Sequence, residues 1–413
     1  FSFIGKSPAK NTLSYTDVWK QFSQMFQKLG YTPIQRYPTV ARWNPSMEYT
    51  NASIAAFQPY VISGEVQPPA NPLIIPQFCL RFGDTDNVGT TMSHNTGFCM
   101  IGQHVFVKPE EWNQNEYFRH MLQWNLKGLG LKKEDMIFHE DAWAGGGNLG
   151  PCMEMFSQGC EIWNQVYMIS EQTHSGVQDL KIKVLDMGLG MERNAWFSQG
   201  TATIYDATFP QVLKHLRNTT GVKYDEKTLQ KYTPYASLLN IDEAKNMDQA
   251  WKTVASHMNM DVKTLKEFIL PHSGIYSIAE HMRSALVVLH DGGLPSNVGG
   301  GYNLRMLIRR SFGFVDTYQW NIDIKAVVEK HAKELKPLYP ELEEHLDEIS
   351  TILDVEKRKY ENTKQKNQKI ISELKHVTEE ELLTLYDSQG ISPEMIPKVN
   401  IPDDFYAKIA ARH

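Results

Sequence analysis

The chain has 413 residues, 41% hydrophobic and 22% charged, which is enough for two domains with real cores. Its net charge of −6 does not mark a bulk nucleic-acid binder, so any RNA site must be a local basic patch. The four cysteines (Cys79, Cys99, Cys152, Cys160) form no C-x-x-C pair and no disulfide framework, which fits a reducing, cytoplasmic setting. No apolar run approaches a membrane span, no signal peptide opens the chain, and the first residue is Phe1 rather than Met, as in a piece excised from a longer protein.

Residues 13–29 carry Leu13, Val18, Phe22, Met25, Phe26 and Leu29 at helical spacing, with Gly30 placed as a C-cap. Residues 31–40 read as extended, and a Pro-rich loop covers 68–76. A strand then ends at Arg81, a polar loop spans 85–95, and a second apolar strand covers 96–106: a long hairpin. A helix is expected near 115–129 and a strand over 136–142, broken by the glycines at 145–147. Further strands are expected over 154–157, 161–169 and 181–186. Strands joined mostly by hairpins, with helices beside them, argue an antiparallel sheet in an α+β fold. After about residue 210 helical patterns dominate: 209–219, 244–259, 262–268, 276–289 and 304–317. Residues 324–374 interleave Lys and Glu as on a solvated helix, 379–386 form a last short helix, and 391–402 read as a Pro-rich linker. No internal repeat or low-complexity block is visible.

The most informative stretch is residues 184–193, Val-Leu-Asp-Met-Gly-Leu-Gly-Met-Glu-Arg. An apolar strand runs into Gly188 and Gly190, where the backbone can approach a ring or ribose that a Cβ would push away. Arg193 offers a planar fork for phosphate, and Asp186 an anion for an amine. A Gly-x-Gly pair alone also suits a bulge or tight turn. Arg81, at the end of the hairpin's first strand, supplies a second cation for a polyphosphate.

This pairing resembles motifs 2 and 3 of the class II aminoacyl-tRNA synthetases. Within that class, further segments are similar to the archaeal-type alanyl-tRNA synthetases. They include Phe-Ile-Gly-Lys-Ser-Pro at 3–8, Tyr-Pro-Thr-Val-Ala-Arg-Trp at 37–43 and Asn-Ala-Ser-Ile-Ala-Ala-Phe-Gln-Pro at 51–59. Asp-Ala-Trp-Ala-Gly-Gly-Gly-Asn-Leu-Gly-Pro-Cys at 141–152, Ile-Ala-Glu-His-Met-Arg at 278–283 and Leu-Pro-Ser-Asn-Val-Gly-Gly-Gly-Tyr-Asn-Leu-Arg at 294–305 continue the match in order.

The resemblance implies a class II sheet flanked by helices and followed by an all-helical domain. It suggests an ATP- and alanine-binding aminoacylation domain over 1–210, a helical tRNA-recognition domain over 211–390, and a linker over 391–413 toward an editing domain. The zinc-ligand pairs of that editing domain are not in this chain, so no protein-held metal is expected. The implied activity is alanine–tRNA ligation with ATP and Mg²⁺, with L-alanine and tRNA(Ala) as partners. Such chemistry needs positioning and charge neutralisation more than an acid–base dyad.

Residue by residue, Arg81 matches the arginine on the α-phosphate and substrate carboxylate, Phe98 the ring that stacks under adenine, and Arg193 the arginine over adenine near the γ-phosphate. His94, Met100 and Gly190 join them at ATP. For alanine, Asp186 matches the residue that binds the amino group, Trp143 the pocket wall, Asn164 a pocket asparagine and Gly188 the floor. Glu154 reads equally as a pocket or metal carboxylate and as an exposed strand glutamate. The loop at 145–148 is expected to border the site. Arg283, Arg305, Arg309 and Arg310 are candidates for tRNA phosphates, with an internal salt-bridge network as the plainer alternative.

Two positions depart from the family pattern. Ser93 stands where an arginine precedes His94, and Cys99 where a glutamate follows Phe98, losing a cation near pyrophosphate and a carboxylate near adenine. These departures motivate a paralogue that adenylates another small amino acid, and a non-catalytic tRNA-binding relic is the third reading. Class II enzymes often dimerise through their first motif, here around Pro38, and alanyl members through C-terminal parts, so a homodimer is an option for a full-length protein.

Overall fold

The protein is described by a computed structural model covering residues 1–374 and 377–389, with single positions 391, 396, 399, 402, 405 and 408. It divides into two compact units, Phe1–Ser350 and Thr351–His413. The linker expected over 391–413 lies largely outside the described residues.

The first unit is built on a seven-stranded sheet. Its strands are β1 (Thr32–Pro33), β2 (Leu73–Leu80), β3 (Gly97–Val107), β4 (Ile137–Gly145), β5 (Asn148–Ser157), β6 (Cys160–Thr173) and β7 (Gly176–Gly190). Their order across the sheet is β1-β2-β3-β7-β6-β5-β4. Every neighbouring pair is antiparallel except β1 with β2, so the expected antiparallel sheet is made mixed by a two-residue edge strand. Gly146 and Gly147 form the two-residue β4–β5 turn with φ of 57° and 82°, the left-handed pair that a type I′ hairpin requires. Strands β6 and β7 run longer than expected. Their outer halves, near 172–179, are mostly polar and exposed, and hold by backbone pairing together with local hydrogen bonds such as Thr173 Oγ1 to the Gly176 carbonyl at 2.7 Å, while Leu180 returns to the core.

The helices are α1 (Tyr15–Gln27), α2 (Gln114–Gln123), α3 (Met191–Gln199), α4 (Ile204–Thr208), α5 (Pro210–Thr220), α6 (Glu226–Ala236), α7 (Met247–Met258), α8 (Val262–His290), α9 (Gly299–Thr317), α10 (Ile324–Leu335), α11 (Leu346–Glu373) and α12 (Glu379–Gln389). Ser14 caps α1 by accepting from the Asp17 N–H, and the helix buries Val18, Phe22 and Phe26. Phe22 and Phe26 stack at 4.0 Å, and Phe22 meets Trp124 edge-on at 5.2 Å. The expected helices over 262–268 and 276–289 are one 29-residue helix, α8, which runs through Pro271. Residues 272–289 are buried all round, so packing outweighs the hydrogen bond that a proline removes. In the second unit Leu382, Leu383, Ile391, Ile396 and Phe405 form an apolar cluster against Ile370 and Ile371. Among the described residues no helix is long and apolar enough to cross a membrane.

Strand alternation gives the central sheet two characters. One face packs against α1 and α3. Polar groups there are satisfied internally: Trp163 Nε1 donates to Asn125 Oδ1 at 2.8 Å, Trp124 Nε1 to Asn194 Oδ1 at 3.1 Å, and Gln165 Nε2 to Gln103 Oε1 at 3.0 Å. On the other face, Asp186 stands between His104 and Val166, and Gly188 between Gly102 and Asn164.

Candidate active site

That second face floors a cavity of about 510 Å³. Arg81, His94, Phe98, Met100, Trp143, Asn164, Asp186, Gly188, Gly190 and Arg193 all line it. The strands explain the gathering. Phe98 and Met100 lie two apart on β3, Asp186, Gly188 and Gly190 two apart on β7, and Asn164 crosses to Gly188 from β6. Arg81 follows the end of β2, and Arg193 lies in the first turn of α3.

The guanidinium of Arg81 sits 5.1 Å from the centroid of the Phe98 ring and donates from Nε to the Asn51 carbonyl at 3.0 Å. Arg193 Nη1 lies 3.1 Å from Glu161 Oε1. His94 Nδ1 is 2.6 Å from Thr91 Oγ1, and the His94 carbonyl accepts from Tyr205 at 2.6 Å. The floor is close-fitting: a Cβ on Gly188 would lie 2.8 Å from Met100 Sδ.

Asp186 is the site's most perturbed group. It is 6% exposed, and burial pushes its carboxyl up to about 7, against a smaller opposing pull from Arg81. Among the described residues none donates a hydrogen bond to it; the nearest basic atom is His104 Nδ1, at 3.6 Å. Burial lowers His104 to about 3, so this ring is neutral. Its Nδ1 faces the Leu185 carbonyl at 3.3 Å, which only accepts, so Nδ1 carries the proton and Nε2 accepts from Ser53 Oγ at 3.0 Å. A neutral donor beside Asp186 leaves the carboxylate's charge for a ligand. The sequence reading missed His104; only the β3–β7 register, which sets it opposite Asp186, reveals it.

Six positions need comment. Cys99 points away from the cavity: it accepts from Tyr339 Oη at 3.2 Å on the other side of β3, so a glutamate's absence there removes nothing from the cavity wall. Ser93 does line the cavity. Arg283, expected at tRNA, is fully buried and donates to Glu192 and to the Gly97 carbonyl. That expectation is corrected: an arginine with no exposed surface cannot meet a phosphate backbone. Arg305, Arg309 and Arg310 lie on α9, half-buried and outside the cavity. Arg305 donates to the Pro295 carbonyl at 3.3 Å, and Arg310 pairs with Asp86.

For a metal, one group among the described residues has ligand atoms mutually within 4.8 Å: His139, Asp141 and Glu154. None of the three lines the cavity, although Glu154 accepts from Asn164, which does. Within the cavity, the carboxylates of Asp84 and Glu161 share walls with Arg81 and Arg193. That donor set fits Mg²⁺ bound chiefly through phosphate, which takes only one or two protein carboxylates.

Two arginines, an aromatic ring and the glycines of β7 thus line one cavity on this sheet, Arg81 from just past β2 and Arg193 from α3. The model of the family "tRNA synthetases class II (A)" matches residues 17–410, and the chain belongs to that family. It is 46% identical over 424 residues to an alanine–tRNA ligase of Methanocella arvoryzae, and 37% identical over 422 residues to one of Nitrosopumilus maritimus. Each match covers all of this chain and 48% or 47% of the relative, so the chain spans about half the length of these curated relatives. A pyrrolysyl tRNA synthetase structure from Desulfitobacterium hafniense overlaps 46% of this chain and 71% of its own, with a TM-score of 0.33 and 13% identity.

Proposed function

We propose that this chain is the alanine-activating part of an alanine–tRNA ligase: it joins L-alanine to ATP as alanyl-adenylate and passes the alanyl group to the 3′ end of tRNA(Ala). The observation that carries this reading is the buried Asp186 carboxylate beside Gly188, which accepts no hydrogen bond among the described residues and shares its cavity with Arg81, Phe98 and Arg193. An amino acid's ammonium would neutralise Asp186. Its carboxylate would then lie toward Arg81, and a side chain no larger than a methyl would fit against Gly188 and Trp143.

In the first step a carboxylate oxygen of alanine attacks the α-phosphorus of ATP, and the bond to pyrophosphate breaks. Arg81 and Arg193 offset the charge that develops, Phe98 holds the adenine by stacking, and Mg²⁺ near Asp84 and Glu161 would neutralise the polyphosphate. In the second step a terminal hydroxyl of tRNA attacks the acyl carbon and AMP leaves. The helical part, residues 211–390, is assigned to tRNA, with Arg305, Arg309 and Arg310 of α9 as phosphate contacts. A methyl-sized pocket rejects glycine and serine poorly, so both should be misactivated.

ATP–pyrophosphate exchange tests the reading. Exchange strongest with alanine, weaker with serine and glycine, and lost in Asp186→Ala and Arg81→Ala supports it. Exchange driven by a different amino acid would favour a paralogue in which Ser93 tunes specificity, and no exchange at all would leave a tRNA-binding role.

A further inference from the structure

Strand β7 ends at Gly190, whose partner on β3 is Met100. The first residues of β3 therefore pair with β2 on one side only: Gly97 with Leu80, Phe98 with Cys79, Cys99 with Phe78. In an antiparallel strand alternate residues turn their N–H and C=O to the same side. Gly97 and Cys99 turn theirs toward the space that β7 leaves vacant, and such groups are costly when buried and unmade.

Side chains fill that space. Glu280, on α8, accepts from the N–H groups of Thr96 at 2.7 Å and Gly97 at 2.8 Å. Arg283, one helical turn on, donates Nη2 to the Gly97 carbonyl at 2.6 Å and Nη1 to Glu192 at 3.0 Å. Glu192 in turn accepts from the Cys99 N–H at 3.0 Å and from Tyr15 at 2.8 Å. Glu280 and Arg283 are both fully buried. Glu280 is further held by His281 Nδ1 at 2.7 Å and Ser284 Oγ at 3.1 Å. The close approach of α8 requires glycine at 97, where a Cβ would lie 2.2 Å from Ser284 Oγ. Three charged side chains thus replace a missing strand along the residues that flank Phe98.

We infer that Glu280 and Arg283 are positioning residues of the nucleotide site, completing the sheet edge beside residues 96–99 so that the Phe98 ring is fixed for the adenine. The inference rests on the proposed reading of Phe98 as the adenine platform. Neither residue touches the nucleotide; both act through the backbone of β3.

The test is ATP–pyrophosphate exchange by the full chain, with ATP and alanine varied in turn, in Arg283→Met, Phe98→Leu and the double variant. Arg283→Met should raise KM for ATP about tenfold or more and leave KM for alanine within about twofold, and Phe98→Leu should do the same. The double variant should be no worse than the poorer single one, because both changes remove the same stacking. If Arg283→Met does not fold, Glu280→Gln, which keeps shape and one acceptor oxygen, carries the same comparison, and Arg283→Lys should recover part of the loss. Equal rises in both KM values, an unchanged KM for ATP, or additive effects in the double variant would overturn the inference while the parent reading stands. An inactive wild-type chain, or normal ATP use by Phe98→Leu, would remove the parent reading and the inference together.

Discussion

Two buried carboxylates on or against the same sheet have opposite surroundings. Glu280 accepts from four donors and, although burial alone would raise it, its partners, His281 foremost, hold it below the usual range. Asp186, buried but at a cavity wall, accepts from none among the described residues and is raised to about 7. The first is a finished part of the scaffold. The second is an unfilled valence at the wall of a cavity, which is the signature of a group whose partner is a ligand.

The comparison can be broken in order of expected effect. Glu280→Ala strips four donors of one acceptor and should cost on the order of 3–5 kcal/mol of unfolding free energy, read by denaturant unfolding; a loss near zero would show that the clamp is not structural. Asp186→Asn should not lower stability, and above about pH 7 should raise it by removing a buried charge, yet it should raise KM for alanine by about 100-fold, the worth of a charge-assisted contact. A large fall in stability would place Asp186 with Glu280 instead.

The pH dependence sharpens the same contrast. Asp186's folded value lies above its unfolded one, so its stabilising contribution to the free protein is complete below about pH 4 and is lost as pH rises through about 7. Binding an ammonium needs the ionised form, so kcat/KM for alanine should fall up to about tenfold per pH unit below 7, and Asp186→Asn should flatten that limb. His104→Phe, which removes the neutral Nδ1–H beside Asp186, should raise KM for alanine by about tenfold with KM for ATP unchanged, and His104→Asn should restore part of it. Smallest of all, Arg310→Ala breaks a half-exposed pair with Asp86 and should change stability by less than about 1 kcal/mol, with exchange unaffected.

The sequence carried the cavity better than its supports. Residues such as Arg81, Phe98 and Arg193 sit in motifs whose order along the chain is itself a signal, and strand alternation then places them. Arg283 illustrates the opposite case. On a helix buried all round, periodicity does not tell an inward arginine from a phosphate-facing one, and its partners at Gly97 and Glu192 lie far away in sequence. Helix α6 was missed because it contains Pro234, a residue that usually ends a helix; the helix runs through it, and Leu229, Tyr232, Thr233 and Ala236 are buried at helical spacing. At Cys99 the sequence showed an altered residue but not which face of β3 it occupies.

The lone carboxylate has a thermodynamic consequence. With Asp186 raised by burial to about 7, its carboxyl holds a proton in part of the free molecules at neutral pH. An ammonium docking beside it must expel that proton, so amino-acid capture becomes a proton-releasing event. Calorimetric heats of binding should then differ between buffers of unequal ionisation enthalpy, and that difference should vanish once Asp186 is replaced by asparagine.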